Sequence, residues 1–60
     1  MITQTFDASL VDSYTKAFLE DRWFDVGHFS FDSSPMVWLE NGDNSGYVSI
    51  NEVISWELNT

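Results

Sequence analysis

The sequence contains no cysteine. That excludes disulfides, thiolate metal sites, thiol catalysis and a thiol-based redox role. Positive charge is nearly absent too. Lys16 and Arg22 stand against ten Asp and Glu, for a net charge of -8. Direct binding to a nucleic-acid backbone needs a basic face, and so does an anionic membrane, so both are set aside as partners. The single histidine, His28, has no companion for a zinc or iron site. Gly27, Gly42 and Gly46 form no phosphate loop, because no lysine follows them. No apolar run is long enough to cross a bilayer. Met1 to Phe6 has neither the basic region nor the apolar run of a signal peptide. The expected location is the cytoplasm, or the host cytoplasm for a phage-encoded chain.

What is present favours a folded chain. Sixty residues make one small acidic domain spanning 1–60. Hydrophobic residues make up 43% and aromatics 17%, too much for a disordered segment. Yet a chain this short is marginal alone and needs a good core, an oxygen-ligated metal or a partner subunit. Trp23, Trp38 and Trp56, with five Phe and two Tyr, exceed what one small core can hide. The size argument therefore points to a homodimer, with Leu19 and Trp23 as the expected self-association contacts.

Asp7 to Arg22 reads as an amphipathic helix. Asp7 suits the N-cap, and Phe6 and Val11 are spaced for a hydrophobic staple. Leu10, Val11, Tyr14, Ala17 and Phe18 recur at helical spacing, with Leu19 opposite them. Trp23 to Gly27 leaves the helix, and Gly27 offers a left-handed turn or a close approach. His28 to Asp32 alternates as a strand does, and Ser33-Ser34-Pro35 breaks it. Further strands are expected near 36–40, 47–50 and 53–58, with an edge strand at 2–6. The expected fold is α+β: one amphipathic helix packed on a small antiparallel sheet of three to four strands. Its core would hold Phe6, Leu10, Val11, Tyr14, Phe18, Phe29, Phe31, Trp38, Val48, Ile50, Ile54 and Trp56.

One stretch supports two readings. Asn41 to Glu52, NGDNSGYVSINE, resembles the calcium loop of the EF-hand family. The resemblance implies side-chain ligands from Asn41, Asp43 and Ser45, a turn at Gly46 and a carbonyl from Tyr47. Val48 takes the apolar position, Ser49 the water-mediated one and Glu52 the closing carboxylate. The pattern departs from the family at Asn41, where Asp is usual. Only Asp43 and Glu52 are carboxylates, the preceding helix could hold only Pro35 to Glu40, and no second loop exists. The strand reading uses the same residues more economically. Val37-Trp38-Leu39, Tyr47 to Ile50 and Val53 to Trp56 are rich in β-branched and aromatic residues. Asn41-Gly42 and Asn44-Ser45-Gly46 are hairpin chemistry. Strands are the preferred reading; weak calcium binding is the alternative.

Catalysis has little support. His28 has Ser30, Ser33, Ser34, Asp25 and Asp32 near it in sequence, but adjacency does not supply the geometry of a triad. No cofactor is implied. The expectation is a non-enzymatic acidic module that binds a basic protein surface, by analogy with small acidic phage proteins directed at host targets. An inhibitor occupying a nucleic-acid site as a DNA mimic would fit. Asp12, Glu20, Asp21, Asp25 and Glu52 are the candidate charges. The plainer alternatives are a solvated acidic surface and a structural subunit of a homo-oligomer.

Overall fold

A computed structural model describes residues 1–59. It has six strands: β1 (Ile2–Thr3), β2 (Tyr14–Leu19), β3 (Arg22–Ser30), β4 (Met36–Asn41), β5 (Asn44–Ser49) and β6 (Ser55–Leu58). They form one antiparallel sheet in the order β1-β6-β2-β3-β4-β5. β2 to β5 run as a meander, and β6 returns to pair with the free side of β2. Two short 3-10 helices, Ala8–Ser13 and Ile50–Glu52, are the helical elements among the described residues. The fold is mostly β, not α+β, and the expected amphipathic helix over Asp7 to Arg22 is absent.

That correction has a physical reason. Thr15 is an extra residue in β2: Tyr14 lies opposite Leu58, while Lys16 lies opposite Glu57. Such a bulge shifts the side-chain alternation by one place. Tyr14 therefore shares a face with Ala17 and Leu19, and all three are buried. Tyr14 and Ala17, set three apart by the bulge and followed by Phe18, imitate one face of a helix in the sequence. β3 repeats the device. Val26 pairs with Leu39 and Phe29 with Val37, three steps against two. As a central strand, β2 hydrogen-bonds on both sides and buries one face fully, and this outweighs the helix propensity of its Ala and Lys.

The inner face of the sheet carries Tyr14, Ala17, Leu19, Val37, Leu39, Trp56 and Leu58, with Ile50 closing over it. Phe6 plugs one end, its ring 5.2 Å from those of both Tyr14 and Trp56. Asp7 does act as an N-cap, accepting from the Ser9 amide at 2.9 Å, but it caps a 3-10 helix. The expected core needs correction at several places. Leu10, Phe31 and Ile54 are exposed, and Phe18 and Trp38 are half-buried on the opposite face. Leu19, assigned to the surface, is in the core.

Both tight hairpins use two-residue turns. Gly42 sits at the first central position of the β4–β5 turn with φ of +62°, which suits glycine. Glu20 holds the matching place between β2 and β3 with φ of +55°. Among the described residues, no helix is long and apolar enough to cross a membrane.

Candidate functional site

The outer face of the sheet is not an ordinary solvated surface. Register places its side chains in rows that cross the strands. Phe18 on β2 lies opposite Trp23 on β3, their rings 5.2 Å apart. The next row runs Glu57, Lys16, Asp25, Glu40 and Ser45 across β6, β2, β3, β4 and β5. Beyond it stand His28, Trp38 and Tyr47. A charged row thus lies between two aromatic ones, with neighbours in a row about 5 Å apart at the spacing of sheet strands.

The third row is the most constructed part. Trp38 and Tyr47 face each other across β4 and β5, ring centroids 5.1 Å apart and nearly perpendicular. The His28 ring lies parallel to the Trp38 indole at 5.9 Å and edge-on to Tyr47 at 5.4 Å. It also hydrogen-bonds the Tyr47 hydroxyl through Nε2. Trp38 Nε1 donates to Glu40 Oε2 at 2.9 Å, which pins the indole along its own strand. Gly27 gives it room: a Cβ there would stand 2.6 Å from Trp38 Cδ1. The glycine therefore serves the expected close approach, and no left-handed φ is needed there. Tyr47 is 46% exposed, His28 is exposed and Trp38 half-buried.

Charge on this face is one-sided. Lys16 Nζ bonds Asp25 Oδ1 at 2.8 Å; Arg22, opposite Leu19 at the β2–β3 turn, lies outside these rows, and its Nε bonds Asp21 Oδ1 at 3.1 Å. The hydrogen bond it donates to Asp25, then the Asp25 charge, hold the Lys16 ammonium above the usual lysine range. Both cations already have a carboxylate. Glu40 and Glu57 keep their charge for other partners.

The expected site residues are scattered. Asp12 lies in the first 3-10 helix, Glu20 and Asp21 in the β2–β3 turn, Glu52 in the second 3-10 helix; Asp25 joins the central row. Of the self-association pair, Leu19 is buried against the core and Trp23 is half-buried on the outer face. The calcium-loop residues do not converge. Asn41 and Asp43 sit at the β4–β5 turn, and the Asn41 side chain donates to the Trp23 carbonyl at 3.2 Å. Ser45, Tyr47 and Ser49 follow along an extended strand, each pair about 7 Å apart at strand rise. Ser49 instead caps the second 3-10 helix, accepting from the Asn51 amide at 3.3 Å. Among the described residues, no three carboxylates or histidines are grouped to hold a metal. The bond of the His28 ring goes to Tyr47, not to the serines near it in sequence.

Sequence reasoning missed the His28, Trp38 and Tyr47 cluster. Half of it was legible. Once the turn is placed on Gly42-Asp43, pairing steps back residue by residue until Trp38 meets Tyr47. His28 was not, because the bulge in β3 breaks the count. Comparisons with family models, curated proteins and solved structures returned no match.

Proposed function

We propose that the chain is a non-enzymatic module that binds a basic protein surface through the outer face of its sheet. One observation carries the reading: Glu40 and Glu57, carboxylates without an ion-pair partner among the described residues, lie in a row beside exposed aromatic rings, while both cations are already occupied. Arg and Lys of a partner have two favourable contacts in such a place. A guanidinium can lie on an indole or phenol, worth about 0.5–2 kcal/mol, and bond a carboxylate at the same time. A face of this kind fits a surface that otherwise receives nucleic acid, so inhibition by occupancy follows naturally. The charge speeds encounter and selects the partner, and the rings hold it.

The test is affinity capture from the native cell with the tagged chain, at low and high salt. Three forms are compared: wild type, Glu40→Gln with Glu57→Gln, and Tyr47→Ala. The expected result is a strongly basic protein, released by salt, slower to bind the first variant and faster to leave the second. Capture that ignores salt and both variants would refute the reading.

A further inference from the structure

The sheet has two edges, and they differ. β1 is two residues long. β5 is six residues long and pairs with β4 without a break, from Met36 opposite Ser49 to Asn41 opposite Asn44. Edges are ordinarily protected from further pairing by charge, proline, a bulge or brevity. β5, with the sequence NSGYVS, has none of these. In a chain with ten acids, a six-residue edge without a charge is a distinct feature.

The hydrogen-bonding phase of that edge follows from the turn. With two residues in the turn, Asn41 and Asn44 form a bonded pair, and bonded pairs alternate from there. The Ile50 amide donating to the Pro35 carbonyl at 3.2 Å continues the same phase. Asn44, Gly46 and Val48 therefore face β4. Ser45, Tyr47 and Ser49 turn their N–H and C=O groups to the open edge.

We infer that β5 pairs antiparallel with β5 of a second copy, about a two-fold axis at Tyr47. Charge decides the occupant. β5 offers a basic strand no carboxylate, whereas along its six residues two chains of charge -8 can pair without setting one acid opposite another. The register is self-complementary. Tyr47 meets Tyr47, and Ser45 meets Ser49, so all three outward-facing residues gain partners. Gly46 meets Val48. On the inner face, an apolar cavity of about 200 Å³, lined in part by Leu19, Phe24, Leu39, Gly46 and Val48, runs along this edge. No atom lies within 4 Å of where a Cβ at Gly46 would be. Val48 of the second copy arrives there and extends the cavity wall. On the outer face, the Trp38–Tyr47 row continues across the axis into its copy. The pairing does not depend on the proposed basic partner.

The experiment is sedimentation velocity over a wide concentration range, with amide hydrogen exchange read residue by residue. The variant is Ser45→Asp combined with Ser49→Asp. Both side chains lie on the outer face, and Asp at 49 preserves the cap of the second 3-10 helix. Across the axis the variant sets carboxylates opposite one another in two pairs. The expected result is a dimer in which the amides of Ser45, Tyr47 and Ser49 become protected as concentration rises. The folded variant should dimerise at least about tenfold more weakly, as like charges facing each other in a sheet oppose pairing, and salt should restore part of the loss. A monomer at every concentration would overturn the inference. So would a dimer whose three amides stay unprotected, or one that the variant leaves unchanged.

Discussion

Gly27 lacks a side chain where Trp38 has one to spare. The indole occupies the space a Cβ at position 27 would take, and its N–H is fixed by Glu40. Gly27→Ala should therefore displace the Trp38 ring, at a cost of about 1–3 kcal/mol, the range for forcing extra atoms into a packed place. Urea unfolding measures the loss, and tryptophan emission should report the moved ring. In a Trp38→Ala background the same substitution should cost little, because the clash is gone. A double-mutant cycle separates this contact from any general effect of alanine in a strand. If both backgrounds lose equally, the glycine is needed by the backbone at the bulge and not by the indole.

Among the elements, the first 3-10 helix has a cap that titrates. The Asp7 carboxylate accepts from the Ser9 hydroxyl at 2.7 Å and from the Ser9 amide at 2.9 Å. These two bonds, the hydroxyl first, hold its pKa below the ordinary value. A depressed folded-state pKa contributes stability above the unfolded value, and that stability is lost as pH falls through the folded one. Acid should therefore loosen Ala8–Ser13 as pH falls from the ordinary aspartate pKa through the lowered one. Asp7→Asn keeps a capping oxygen and removes the titration. Unfolding followed between pH 6 and pH 2 should show a shallower fall for the variant than for the wild type. Tyr14 ties this helix to the sheet, its hydroxyl accepting from the Asp7 amide at 2.7 Å, so near-ultraviolet dichroism of the tyrosines can follow the change.

At the scale of the whole molecule, charge opposes compactness. Eight excess carboxylate charges repel one another across a small sheet, and the two ion pairs are exposed and of little worth. Salt should relieve the repulsion, since the Debye length falls to about 3 Å near 1 M. The urea midpoint should therefore rise as sodium chloride is added at neutral pH. A flat response would mean that the acids are spaced widely enough not to interact.

The sequence by itself determined what local chemistry can determine. Composition excludes disulfides and thiol chemistry, and the charge balance sets the kind of partner to consider. Asn41-Gly42 announced a hairpin, the β-branched and aromatic runs announced β4, β5 and β6, and Asp7 announced a cap. Local chemistry could not settle β2. Tyr14, Ala17 and Phe18 are spaced as on a helix, and their true arrangement follows from Thr15 bulging against β6, which is 42 residues distant from its Glu57 bond partner. Nor could it gather the outer face. Glu57, Lys16, Asp25 and Glu40 come from four strands, and only strand order makes them a row. His28 reaches Trp38 and Tyr47 through a second bulge. Side-chain alternation is local, but bulges and register answer to the neighbouring strand, so the face this chain presents was decided by tertiary pairing.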